Sequence, residues 1–165
     1  MNISKIIDSQ QKEIAESQIR EARKTIDYNS VQFPLEYFID RITQQQIDSL
    51  LKWNESKQSY FIESLMLGLP VLNIVFREKA EKYRLHGIDE VEQLIDGKQR
   101  LLTALNFLNS NLRLFNLKEI DSLNGFTFRD LPLSRQKKFR RISVRAIAIN
   151  PKSDLSVWKE CQQHI

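Results

Sequence analysis

The feature that most restricts the fold of this chain is a junction near its middle. There an apolar run ends in Asp96-Gly97-Lys98-Gln99-Arg100 and a second apolar run begins. Val91-Glu92-Gln93-Leu94-Ile95 alternates as a short strand does, whereas Leu101, Leu102, Ala104, Leu105 and Leu108 recur at helical spacing. The junction therefore predicts strand, polar turn and helix in that order, with the helix running from Gly97 to about Asn109. Unpaired backbone N–H groups and the positive end of a helix dipole meet at such a turn. An acid, an amide and two cations placed there form a ready site for an anion such as a phosphate.

The chain has 165 residues, 41% of them hydrophobic, which suits one compact domain with a real core. Four Gly and four Pro are few for an all-β protein with its many tight turns, so a helix-rich α+β or α/β fold is expected. The single Cys161 cannot form an intramolecular disulfide. No signal-peptide pattern opens the chain, and no run approaches the roughly 20 apolar residues that span a bilayer. The expectation is a soluble, cytoplasmic protein without a membrane partner.

Charge adds a second candidate site. The balance is 25 Lys and Arg against 21 Asp and Glu, a net +4 that by itself says little about partners. Its distribution says more, because Arg135, Lys137, Lys138, Arg140, Arg141 and Arg145 place six cations within eleven residues. That stretch reads as a phosphate-backbone surface for DNA or as a solvated helical face before a strand.

Periodicity divides the remainder. Residues from about Ser4 to Ile26 predict a long, charged, weakly amphipathic helix, so residues 1–28 form an N-terminal helix and residues 29–165 the domain proper. Val31 to Phe38 reads as extended or turn-like, because Pro34 disfavours helix at the residue before it. Gln44 to Leu51 predicts a short helix. Ser56 to Leu67 predicts another, stopped by Gly68 with Pro70 beyond, and Val71 to Phe76 a buried strand. Arg77 to Leu85 reads as a charged, hairpin-like stretch. Further on, Leu112 to Leu117 reads as a strand, Asn124-Gly125 as a turn and Phe126 to Phe128 as a short pairing strand. Leu133 to Phe139 predicts a helix, Ile142 to Ile149 a strand and Asp154 to Gln163 a final helix.

The order helix–glycine–strand, then a strand delivering a polar motif into a helix, is similar to the ParB and sulfiredoxin-like superfamily. More closely, Phe61-Ile62-Glu63-Ser64-Leu65-Met66-Leu67-Gly68-Leu69-Pro70 and Ile95-Asp96-Gly97-Lys98-Gln99-Arg100-Leu101 resemble the N-terminal domain of GmrSD-type restriction systems. That family carries an Asp-Gly-Gln-Gln-Arg signature, and Trp53 and the stretch from Asn124-Gly125 to Leu131-Pro132 also look like its members. The resemblance covers roughly residues 30 to 150. It implies the α+β class, with a small mixed sheet flanked by helices, and an NTP-binding, NTP-hydrolysing domain of a bacterial restriction or anti-phage system that senses DNA. In the family this domain is commonly joined to an HNH-type nuclease domain. With only His86 and His164 no His-Asn-His metal finger can be assembled here, so nuclease activity is expected from another domain or subunit.

The resemblance also distributes roles. A nucleoside triphosphate with magnesium is the expected cofactor, with Asp96 near the metal, Gln99 near the water and Arg100 on the phosphates as the catalytic set. Glu63, Ser64, Gly97, Lys98 and Thr103 would complete the nucleotide site. Lys98 stands where the family has Gln, a cation for a neutral amide. Each residue has a plainer reading. Asp96 is also a common helix N-cap, and Arg100 can pair with Glu63 or Asp96. Glu63 and Ser64 can form the polar face of their helix, and Thr103 can bond back to its own helix. Trp53, Tyr60 and Phe61 suit a hydrophobic cluster under a loop better than a base-stacking platform. Arg135, Lys137, Lys138, Arg140 and Arg141 are the nucleic-acid candidates. They carry the rival reading of a non-enzymatic DNA-binding or adaptor module.

Overall fold

Alternation of apolar residues selects the strands, and spacings of three and four select the helices, around one mixed sheet. The computed structural model describes residues 7–39, 44–71, 73–77 and 94–163. In chain order these contain α1 (Ser9–Lys24), β1 (Tyr28–Pro34), α2 (Leu35–Ile39), α3 (Gln44–Leu50), α4 (Glu55–Met66), β2 (Ile74–Arg77) and β3 (Leu94–Asp96). They continue with α5 (Lys98–Leu108), α6 (Leu133–Arg140), β4 (Ser143–Ile149) and α7 (Leu155–Gln163). The α+β class follows.

The strand order is β1-β4-β2-β3. β4 pairs antiparallel with β1, Val31 opposite Ala146, and parallel with β2, Ile74 opposite Ala146. β3 pairs antiparallel with β2 and sets Asp96 beside Val75. Pro34 ends the edge strand β1, a place where its missing N–H costs no ladder bond. It disfavours helix only before itself, so residues 35–38, expected to be extended or turn-like, turn helical as α2.

One sheet face, with Ile74, Val144 and Ala146, packs against α4, α5 and the loop residues Leu112, Leu114 and Leu117. α5 is buried almost all round: Leu101 to Leu105, Phe107 and Leu108 are inside. Leu102 and Leu105 meet Ile47 of α3 on its other side. Beneath α6, Phe107, Phe128 and Phe139 form an edge-to-face triad with centroids 5.4 to 5.9 Å apart. By contrast no residue of α1 is buried.

Two expected strands are absent. Residues 112–115 alternate in burial as a strand would, yet Asn116 is exposed and takes φ 58°, which breaks the alternation, and the segment has no ladder. Its N–H groups go instead to Phe126 O, Ser59 Oγ and Asn124 Oδ1. Phe126 to Phe128 runs into a 3-10 turn, because Thr127 and Asp130 form a capping box. The expected hairpin at 77–85 lies outside the described residues beyond Arg77, as does the expected strand before Leu94.

Candidate functional site

β3 delivers its last residue, Asp96, into the turn from which α5 starts. Gly97 takes φ +95°, left-handed backbone that favours glycine. A Cβ there would lie 3.1 Å from Ile74 Cγ1 and 3.2 Å from Ile74 Cα. The missing side chain thus lets the turn press against β2, a use internal to the fold.

Asp96 Oδ1 accepts the Gly97 N–H at 2.7 Å, and Oδ2 accepts from Arg100 Nη2 at 2.9 Å. The side chain of Asp96 is 47% exposed and that of Arg100 only 12%. Arg100 also donates through Nη1 to Asn73 O at 3.0 Å, tying the first turn of α5 to the segment that enters β2. Its fork therefore serves the carboxylate and a backbone carbonyl together.

Gln99 is turned the other way. Its Oε1 accepts the N–H groups of Lys52 (2.7 Å) and Trp53 (3.2 Å), and its Nε2 donates to Leu50 O at 2.8 Å. The amide thus fastens the end of α3 and the loop before α4 to the motif. Gln58, buried in α4, continues the connection, donating to Trp53 O and accepting from Asn106 of α5. Trp53 lies edge-on to Phe61 at 5.7 Å, with Lys57 Nζ 4.7 Å from its ring centroid.

Lys98 differs from its neighbours. It is half-buried and makes no hydrogen bond or ion pair among the described residues. α5 also starts without a side-chain cap, and its first helical backbone bond runs from Leu101 N to Gly97 O. First-turn N–H groups, the dipole and an ammonium group thus lie side by side.

The remaining expected residues lie elsewhere in the network. Glu63 is buried and its Oε1 accepts three consecutive backbone N–H groups, from Lys118, Glu119 and Ile120, at 2.9 to 3.2 Å. The carboxylate organises that loop. Ser64 Oγ donates to Tyr60 O within its own helix. Thr103 is fully buried in α5, its hydroxyl without a hydrogen-bond partner among the described residues. No hydrogen bond joins Glu63, Ser64 or Thr103 to the Asp96–Arg100 turn among the described residues. Missing from the sequence reading were Leu50, Lys52, Trp53 and Asn73 as partners of the motif. They contribute backbone atoms, which carry no signature in residue type.

Arg135, Lys137, Lys138, Arg140, Arg141 and Arg145 are all exposed. Arg140 lies over the Phe128 ring at 5.2 Å, and Arg145 Nε donates to Ser30 Oγ at 3.2 Å. Nearby, Asp130 has its carboxyl held below the usual range by hydrogen bonds from Thr127, backbone first and hydroxyl second.

Fold and site together define an α+β domain with a lysine and an uncapped helix N-terminus at a strand–turn–helix junction. A profile of the GmrSD restriction endonuclease, N-terminal domain, matches residues 38–162. The chain belongs to that family, which makes it a component of a restriction-type phage-defence system. No functionally described protein and no solved structure matches it. Among the described residues no helix is long and apolar enough to cross a membrane.

Proposed function

We propose that the turn from Asp96 to Arg100 binds the phosphates of a nucleoside triphosphate and that hydrolysis there serves the restriction system. The observation that carries this reading is the start of α5: first-turn N–H groups without a side-chain cap beside Lys98, whose ammonium has no partner among the described residues. An anion there gains backbone donors, a dipole and a point charge at once. Arg100 contributes positive potential while held by Asp96 and Asn73 O. Gln99 fixes the loop at 50–53 against the site, so its contribution is positioning.

Magnesium fits this arrangement in one way. Among the described residues no three His, Cys, Asp or Glu side chains gather. Asp96, half-exposed and with a second lone pair on each oxygen, would be its protein ligand beside the phosphate oxygens. That is a common manner of holding magnesium. The bound ion supplies charge neutralisation to the phosphates.

The test is thermal stabilisation of the full chain by each of the four common NTPs with magnesium. A ligand at 100 times its Kd adds about 2.7 kcal/mol. That raises Tm by roughly 5–10 °C for a domain of this size. Lys98→Ala, which breaks no hydrogen bond or ion pair among the described residues, should melt close to the parent without nucleotide and lose much of the shift. No shift with any NTP refutes the reading.

A further inference from the structure

The basic stretch after Pro132 is a surface in its own right, and the proposed nucleotide site makes no use of it. No Asp or Glu occurs between Asp130 and Asp154, a span that carries seven Lys and Arg. α6 is anchored by a single fully buried side chain, Phe139. At 3.6 residues per turn, Arg140, Lys137, Arg141 and Lys138 project over an arc of about 160°, and Phe139 points opposite the middle of that arc. One aromatic thus holds the helix down while four cations face solvent. None of the four has an acidic partner among the described residues.

The surface continues past the helix. The chain turns at Arg141 into β4, where Ser143 and Arg145 are exposed on the sheet face opposite the core. Gln32 lies across the ladder from Arg145, and Ser30 accepts its Nε–H, so the cross-strand neighbours are neutral hydrogen-bonding groups. Cations followed by serine and glutamine are what a phosphodiester backbone requires.

We infer that the outward face of α6 and the adjoining face of β4 bind duplex DNA through its phosphate backbone, without reading base sequence. The cationic arc has no exposed aromatic ring on which an unpaired base could stack, which disfavours a single strand. Leu133, 73% exposed, is the one apolar side chain on the arc. A helix that lies in a membrane surface needs an extended apolar face.

The test is fluorescence anisotropy of the full chain with a labelled 20-bp duplex of arbitrary sequence, repeated with a second sequence. Five phosphate contacts, the four of the arc and Arg145, give a slope of about −4.5 in log K against log salt. Affinity then falls about 500-fold between 50 and 200 mM KCl. The variant K137A/K138A/R141A leaves Arg140 and Arg145, two contacts of the five, so the fall over the same range shrinks to about 12-fold. All three side chains are exposed, so the variant should melt as the parent does and keep any nucleotide-induced stabilisation. Failure of this surface is thereby separated from failure of the site at Asp96–Arg100. Three results overturn the inference: undiminished duplex binding by the triple variant, binding indifferent to salt, or binding to phosphatidylserine vesicles with none to the duplex.

Discussion

Replacing Gln99 by Ala tests whether the amide serves the fold or a reacting water. In the parent one side chain makes three hydrogen bonds, two accepted from Lys52 and Trp53 N–H and one donated to Leu50 O. At about 1 kcal/mol net for each, the loss is about 3 kcal/mol. For a chain of this length 1 kcal/mol moves Tm by about 2–4 °C, so Q99A should melt about 6–12 °C lower. Q99E keeps both acceptor bonds and loses the donor to Leu50 O, so it should fall between the two. Local detachment has its own signal. In a W158F background the half-buried Trp53 is the only tryptophan, and its emission should shift to the red in Q99A at temperatures where the chain remains folded. If Q99A melts within 2 °C of the parent with unchanged Trp53 emission, the amide is not the fastener and the positioning role assigned to it is wrong.

Two further comparisons of variants separate internal requirements of the fold around the site. Gly97 and Gly125 both have positive φ, +95° and +91°, but only at Gly97 would a Cβ meet another residue. Gly125→Ala should therefore cost about 1 kcal/mol of backbone strain, and Gly97→Ala about 2–3 kcal/mol. Equal costs in denaturant titration would show that the contact with Ile74 is irrelevant. Glu63→Ala removes the acceptor of three N–H groups. All three bonds are part-buried, so a loss of about 3 kcal/mol is expected, at about 1 kcal/mol each. Glu63→Gln retains an oxygen and should lose about half as much. A Gln variant as unstable as the Ala variant would show that the negative charge, and not an acceptor oxygen, holds the loop.

Helices α4 and α5 and strand β4 were legible because each carries its own period, with Gly68 as a stop after α4 and alternation of Val144, Ala146 and Ala148 along β4, whereas α6 was marked by its start at Pro132. Residues 112–117 misled for the same reason. Leu112 and Leu114 are buried and Arg113 and Phe115 exposed, so burial alternates as far as residue 115, but the segment is held by the Ser59 hydroxyl of α4 and by side-chain and backbone atoms of residues 124–126. Alternation reports which side chains are inside and says nothing about where backbone donors go. The Thr127–Asp130 capping box went unread in the sequence, where Phe126 to Phe128 was expected to be a strand, and it outweighed the β-propensity of Phe126 and Phe128.

The same distinction governs the site itself. Asp96, Gln99 and Arg100 look in the sequence like three groups offered to a ligand, yet each forms ties within the chain: to Gly97 N–H, to the backbone at 50–53, and to Asn73 O. A polar side chain declares what it can donate or accept, whereas its partner here is a backbone atom that any residue would supply. Lys98 is the exception, with no hydrogen bond or ion pair among the described residues. A substitution at Gln99 or Arg100 would break ties on which the turn depends. At 98 no such tie is present among the described residues, so the consequence of removing the cation falls on whatever anion meets the start of α5.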